Sequence, residues 1–311
     1  MQYRSFGSTD LEVSPIGLGT VELGIPYEIG LPPPPSEEDS IALLRQAFEA
    51  GINYIDTAPV YGNSEELVGK AFADLPDKPI LATKVTLKKE RDEAALAGDE
   101  LRQHLETSIT NSLKLLNLEC LEVLQIHSVE DNFATQELLE LTADFRKRGL
   151  VRYWGVTTYG ETAPMEVLAW PEHFQILQVA YNALDRRMEE EVFPRSRQVD
   201  VGLVLRSAFF KGVLSDRVRL LPDHLSGLIE AALKVEKVAK GLGISLPELA
   251  FRFNTYNPFS NIALFGTTSI AEMNTNIAAF RAGPLPQDVL DELKPLTLHD
   301  TSLLNPSTWG F

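Results

Sequence analysis

The chain has 311 residues, 28 Lys+Arg against 44 Asp+Glu, a formal net charge of −16 and 44% hydrophobic residues. So acidic a balance argues against a nucleic-acid partner and against docking on anionic membranes, and the single cysteine, Cys120, excludes an intrachain disulfide and a cysteine-built zinc cluster. The start, MQYRSFGSTD, has no apolar signal core, and no stretch approaches the roughly 18 uninterrupted apolar residues of a membrane span, so the expectation is a soluble cytoplasmic protein made without export.

In chain order, residues 3–13 read as a small hairpin, with Gly7-Ser8 between two short extended pieces. Eight short apolar runs follow, at 16–18, 53–56, 80–85, 121–127, 151–156, 176–180, 201–205 and 262–265. Several are continuous in Val, Ile and Leu, as expected of strands buried on both faces. Helical patterns lie between them. In 36–51, Ser36 is placed to N-cap, acids fill the first turn, Ile41, Leu44 and Phe48 share a face, and Gly51 ends the pattern. Ser64 is read as the cap of a second helix, with Glu65 and Glu66 at the positive end of its dipole. Further helices fit 100–116, 136–148, 164–169, 189–198, 225–240 with 246–254, and 270–280. Residues 31–35, with four consecutive prolines, form an irregular loop after the first long strand. The tail 288–311 holds a last helix and loop-formers. Eight strand–helix units predict an α/β fold, a (β/α)8 TIM barrel with an N-terminal β-hairpin and a C-terminal extra helix and tail, using residues 1–311 as a single domain. An open doubly wound sheet is the competing arrangement.

In such a barrel, polar residues at the C-terminal ends of the strands line the active site. Those ends carry Asp56, Lys84, His127, Thr157, Gln178 and Ser207, and Tyr61 lies five residues past Asp56. Taken singly, each has a plain structural use: a cap, a solvated lysine, a satisfied core histidine, a packed loop aromatic. As a set they make chemical sense. A phenol of ordinary pKa near ~10 acts as an acid–base group at neutral pH when a nearby ammonium stabilises its phenolate, and a carboxylate orients that ammonium. A neutral histidine positions a substrate oxygen. The hydride source has to be a cofactor.

Six segments, in order, resemble the aldo-keto reductase family over nearly the whole chain. They are INYIDTAPVYGNSE at 52–65, TK at 83–84, LQIH at 124–127, WGVT at 154–157, QVAYN at 178–182, and Gly266 followed ten residues later by Asn276. The resemblance implies a carbonyl–alcohol oxidoreductase using a nicotinamide dinucleotide. Tyr61 would be its general acid in reduction and base in oxidation, with Lys84 lowering the pKa of Tyr61, Asp56 pairing with Lys84, and His127 orienting the carbonyl. Cofactor contacts would come from Gly19, Thr20, Val21 and Asp56. Thr157, Thr158 and Gln178 would lie at the carboxamide, with Tyr181 near the nicotinamide. Gly266, Thr268, Glu272 and Asn276 would hold the adenosine half. Substrate contacts would come from Tyr27, Tyr61, His127 and Trp154, with Leu23, Ile25 and Trp309 as further rim candidates. The implied partner is a small carbonyl or alcohol, with no nucleic acid, membrane or metal.

Three positions depart from the family pattern. Thr158 stands where many relatives carry Asn. In LRSAFFKGVL at 205–214, Arg206 replaces a nicotinamide-stacking Tyr, and a guanidinium plane is able to stack in its place. Ser207, Ala208, Phe209, Lys211, Gly212 and Leu214 would then follow the pyrophosphate, with Arg217 and Arg219 as local cations. At the 2′ end, Gly266, Thr268 and Glu272 stand where NADP-specific relatives place Lys or Arg. The family default is NADP(H), but a carboxylate repels a 2′-phosphate and accepts a hydrogen bond from a free ribose hydroxyl, so the local sequence leans towards NAD(H). Two other classes compete: a nucleotide-binding regulatory subunit with weak turnover, and a metal-dependent barrel hydrolase. The five histidines, His104, His127, His173, His224 and His299, are too scattered to favour the latter.

Overall fold

The computed structural model describes residues 1–27, 30, 33–89 and 94–310. Part of the proline-rich loop lies outside the described residues. The hairpin consists of β1 (Arg4–Ser5) and β2 (Glu12–Val13), paired antiparallel with Arg4 opposite Val13. Eight parallel strands then close into a barrel: β3 (Ile16–Gly19), β4 (Tyr54–Asp56), β5 (Ile80–Val85), β6 (Leu121–Val129), β7 (Val151–Thr158), β8 (Ile176–Ala180), β9 (Gly202–Arg206) and β10 (Ile262–Gly266), with β10 pairing β3. Each coincides with one of the eight apolar runs. Parallel strands wrapped by helices are buried on both faces, so their sequences stay apolar throughout.

The two-residue period of a strand sorts each side chain inward or outward. Tyr54, Ile80, Ala82, Val123, Ile176, Val204, Ile262 and Leu264 form the inner cluster, together with Phe6, Leu11 and Val13 of the hairpin. The hairpin thus plugs the N-terminal end of the barrel. Phe6 meets Tyr54 edge-on at 5.8 Å, and Gly202 makes room for it, since a Cβ there would stand 2.6 Å from Phe6 Cδ2. Tyr153 ties the plug down from β7 by donating to Asp10 Oδ1 at 2.9 Å. A second, larger cluster fills the layer between barrel and helices.

The helices follow the expected pattern with small shifts. Glu37–Glu49 is capped by Ser36, whose hydroxyl accepts from Asp39 N. Its buried face centres on Leu43, Leu44 and Ala47, while Ile41 and Phe48 pack at the margin. The expected stretches 225–240 and 246–254 are Ser226–Gly241 and Leu246–Thr255, the latter capped by Ser245. Residues 189–198 split into a 3-10 turn, Arg187–Glu189, and a helix, Val192–Gln198. Ser64 corrects the expectation: Asn63 is the N-cap of Ser64–Phe72, and the Ser64 hydroxyl is used elsewhere. Among the described residues no helix is long and apolar enough to cross a membrane.

Strand parity also corrects Trp154. Tyr153 packs on the inner cluster and Gly155 abuts Gln125 inside the barrel, so Trp154 points outward. It is fully buried, donates from Nε1 to Thr142 O at 3.1 Å and tilts over Phe145. It packs a helix onto the barrel and does not reach a substrate.

Candidate active site

The inward positions at the strand ends converge on Asp56. Lys84 Nζ donates to Asp56 Oδ1 at 2.5 Å and to Thr57 O at 2.8 Å. Gln125 Nε2 and Gln178 Nε2 each donate to Asp56 Oδ2 at 2.9 Å, and Gln178 Nε2 also donates to Gln125 Oε1 at 3.0 Å. Lys84 and Asp56 are 1% and 3% exposed. A buried ion pair is tolerated when its remaining lone pairs are satisfied, and the two glutamines do that here. Gly155 leaves the room Gln125 needs, since a Cβ there would lie 2.9 Å from Gln125 Cγ.

Tyr61 is held beside this pair by its own turn. Ser64 Oγ lies 2.6 Å from Thr20 Oγ1 and 2.9 Å from Thr57 Oγ1, and Thr20 Oγ1 donates to Asp56 O at 3.0 Å. The ends of β3 and β4 and the start of the following helix are thereby tied together. Gly24, at the end of the short helix Val21–Gly24, abuts the Tyr61 carbonyl, and a Cβ on Gly24 would stand 1.6 Å from Tyr61 O. Gly24→Ala is therefore expected to cost about 1–3 kcal/mol in urea denaturation and to displace the Tyr61 turn, lowering kcat. An unchanged kcat would show that the turn tolerates the shift.

The Tyr61 ring stands edge-on to His127, with centroids 5.9 Å apart and planes at 85°, and Lys84 Nζ lies 4.8 Å from the Tyr61 centroid. Burial, reinforced by Asp56, holds the Tyr61 phenol well above its ordinary range, while Arg206 pulls it back. Burial lowers Lys84, with Asp56 opposing, and drives His127 well below its ordinary 6.5, aided by Lys84 and Arg206. Lys84 Nζ thus stands over the Tyr61 ring, beside a phenol whose own burial raises it. Desolvation dominates, and the phenol stays protonated.

His127 has a consequence for stability. Its folded pKa is depressed, so as pH falls below 6.5 the unfolded chain takes up a proton that the folded chain refuses. Stability is full above 6.5 and is lost as pH falls towards the folded value, by up to about 1.4 kcal/mol per pH unit. Urea midpoints from about pH 7.5 to 5.5 should fall more steeply for the wild type than for His127→Gln. Parallel slopes would place the titration elsewhere.

Around this centre the other expected residues are arranged unevenly. Thr157 Oγ1 accepts from Ser128 N at 2.6 Å, and Thr158 Oγ1 is buried with no hydrogen-bond partner. Arg206 donates to Thr158 O at 3.0 Å and lies 4.9 Å from the Tyr159 ring centroid. One face of its guanidinium is thus covered by Tyr159. The loop beyond β9 takes positive φ at Ser207, Phe210, Lys211 and Gly212, a concentration of strained backbone typical of ligand-holding loops. In this loop Ala208 and Leu214 are buried, and Phe209 stacks on Phe251. Lys211 Nζ lies 5.9 Å from the ring of Tyr27, whose ring is partly exposed at the rim. Gly19 and Gly266 pair in register at the ends of β3 and β10. Glu22, 5% exposed, rests against Gly266, with Oε2 2.2 Å from where a Cβ would stand. Glu272 is exposed, but its carboxylate is engaged on the protein: its Oε2 accepts from Thr267 Oγ1 at 2.7 Å, and its Oε1 lies 3.6 Å from Arg217 Nη2. Asn276 is buried on the same helix, and Thr268 is half-buried.

Three expectations are overturned besides Trp154. Tyr181 stacks on Phe253 at 5.3 Å, donates its hydroxyl to Glu189 and lies in the outer layer, one step out of phase with inward Gln178. Leu23 belongs to the packed core rather than the rim. Trp309 is buried edge-on against Phe210 and donates to Leu303 O, so it anchors the tail. Three residues had no role in the sequence reading. Gln125 was findable by counting back two from His127, Glu22 sits in a helix too short to show a pattern, and Tyr159 meets Arg206 only through the fold.

A closed barrel of eight parallel strands with a tyrosine, a histidine and a buried Lys–Asp pair at its mouth defines an oxidoreductase of the (β/α)8 class. The chain belongs to the Aldo/keto reductase family, whose profile matches residues 15–297. It is similar to the oxidoreductase YqkF of Bacillus subtilis (26% identity, 96% of this chain and 98% of that protein). It is also similar to the aldo-keto reductase YhdN of that organism (29%, 86% and 85%) and to L-galactose dehydrogenase of Arabidopsis thaliana (25%, 99% and 98%). The holo form of aldo-keto reductase AKR11C1 from Bacillus halodurans superposes with a TM-score of 0.77 at 25% identity, over 96% of this chain and 97% of that one. Membership makes the protein an NAD(P)-dependent oxidoreductase acting between carbonyl and alcohol.

Proposed function

We propose that the chain interconverts an aldehyde, ketone or sugar carbonyl with its alcohol, and that Tyr61 carries the proton. The observation that supports this most is the placement of Tyr61 beside the buried Lys84–Asp56 pair and edge-on to His127. In reduction the Tyr61 hydroxyl, held protonated, gives its proton to the substrate oxygen. His127, held neutral, offers one ring nitrogen to that oxygen and fixes its direction. Lys84 faces the phenol as it becomes phenolate and stabilises it at that moment. Asp56, Gln125 and Gln178 keep Lys84 in place. In oxidation Tyr61 takes the proton back. Tyr27, Tyr159 and Val60 present exposed side chains near the mouth and suit a sugar or an aryl aldehyde.

The mouth fits a nicotinamide dinucleotide. Nothing lies nearer than 3.6 Å to where a Cβ on Gly19 would stand, which allows close approach of a flat ligand. Thr20 and Val21 at the end of β3, Thr157 with Gln178, Arg206 with its uncovered face, the loop from Ser207 through Leu214, and Gly266, Thr268, Glu272 and Asn276 would hold it. When bound, the nicotinamide supplies or accepts the hydride. We assign a preference for NAD(H), because Glu272 both occupies Arg217 and adds a negative charge where a 2′-phosphate would lie.

Fluorescence quenching with NADH and NADPH, followed by turnover on a panel of aldehydes and sugars, tests this reading. Tighter NADH binding and measurable turnover are expected. Clearly tighter NADPH binding would sink the cofactor preference, and tight nucleotide binding without any turnover would replace the enzyme by a nucleotide-binding regulator.

A further inference from the structure

A second cavity lies at the opposite end of the barrel from the catalytic mouth. It has a volume of about 410 Å3 and is bounded by β1, the turn before β9 and the loop before β10. Arg4 and Arg197 both line it. Arg4 Nη1 donates to Ser260 O at 2.9 Å, and Arg197 Nη2 donates to Pro258 O at 2.6 Å. Two guanidiniums are thus pinned to backbone carbonyls two residues apart on one loop. Arg197 is further held over the Phe259 ring at 4.1 Å.

Among the described residues neither arginine has a carboxylate partner. In this acidic chain Arg45, Arg102, Arg148, Arg152 and Arg219 are each charge-paired, so these two guanidiniums keep charge that those do not. Asp200 also lines the cavity but bonds neither guanidinium. The loop itself is rigid and its amide groups are spent. Asn257 Oδ1 accepts from Phe259 N and its Nδ2 donates to Tyr181 Oη, while Asn261 Oδ1 accepts from Leu203 N and its Nδ2 donates to Ser5 O. Each guanidinium carries five N–H donors, of which one on each is committed to a carbonyl. The groove therefore offers fixed donors and positive charge, and calls for a ligand rich in acceptors and negative charge.

We propose that this groove binds a small oxyanion-bearing molecule, a phosphorylated or polycarboxylate metabolite, at a site separate from the catalytic mouth. Its place at the N-terminal ends of the strands means that the ligand is not the reacting substrate.

Calorimetric titration at constant ionic strength, with inorganic pyrophosphate and separately with citrate, tests this on the full chain. The proteins compared are the wild type, Arg4→Gln/Arg197→Gln, and Lys211→Gln/Arg217→Gln, which removes cations from the loop beyond β9. Wild type is expected to bind at least one probe. The Arg4/Arg197 pair should lose at least about tenfold in affinity, and the Lys211/Arg217 pair should keep it. Which probe binds distinguishes a phosphate from a carboxylate ligand. Arg197→Glu, at an exposed position, should weaken binding without disturbing the Arg4 anchor, and serves if the double variant fails to fold. No binding to wild type overturns the proposal. So does undiminished binding to the Arg4/Arg197 variants, or a loss confined to Lys211→Gln/Arg217→Gln.

Discussion

Lys84→Met is expected to destabilise the protein by about 3–5 kcal/mol in urea denaturation and to abolish measurable turnover. The size follows from burial. Lys84 and Asp56 are 1% and 3% exposed and meet at 2.5 Å, so removing the ammonium leaves a carboxylate in the barrel with only the Gln125 and Gln178 amides for company. The penalty is mostly that of an uncompensated charge, not the net worth of the pair. Lys84→Met combined with Asp56→Asn should therefore recover most of the stability while remaining inactive. If the single variant lost less than about 1 kcal/mol, the carboxylate would have to be finding other partners. If the double variant were no more stable than the single, packing of the lysine stem rather than charge would be the reason.

Tyr61→Phe separates chemistry from structure. The hydroxyl is the only group lost, and the ring contacts with His127 and with Lys84 Nζ remain. Stability and nucleotide affinity should stay near wild type, while kcat falls by about 10^2–10^4, the range for removing a positioned acid–base group. Turnover within a few-fold of wild type would move the proton to another group. The closest alternative is Tyr27, whose hydroxyl is subject to the same Arg206 and Glu22 charges. A large loss of stability instead would mean that the phenol serves packing.

Much of this is legible in the sequence alone. The eight strands could be read because parallel barrel strands, covered by helices, are apolar on both faces and so leave continuous runs. Asp56, Lys84 and His127 could be read because a charged or titratable group at the end of such a run is costly without a purpose. Strand parity decides the remaining positions. On β7 the inward set is Tyr153, Gly155 and Thr157, and stepping back in twos from Thr157 passes over Trp154 and leaves it outside. The same count on β6 finds Gln125, and on β8 it puts Tyr181 in the outer layer.

Other features had no local signal. A glutamate in Val21–Gly24 reads as a surface residue, and only the close approach of Gly266 shows it buried. The Arg206–Tyr159 and Arg217–Glu272 contacts join residues 47 and 55 positions apart, which no periodicity reveals. The bulk acidity of the chain likewise says nothing of where the fold places its cations, Arg206 and Lys211 beyond β9 and Arg4 and Arg197 at the other end of the barrel.

The most direct test of the proposed chemistry follows the hydrogen itself. With nicotinamide cofactor deuterated at C4, a wild-type single turnover on a reducible aldehyde should leave one deuterium on the former carbonyl carbon, read by mass spectrometry of the alcohol. Tyr61→Phe, loaded with the same cofactor at the same affinity, should form that labelled alcohol more slowly by about 10^2-fold or more. Unlabelled alcohol from the wild type, or labelled alcohol formed at equal rates by both proteins, would contradict the assignment of this mouth as a hydride-transfer site with Tyr61 as its acid.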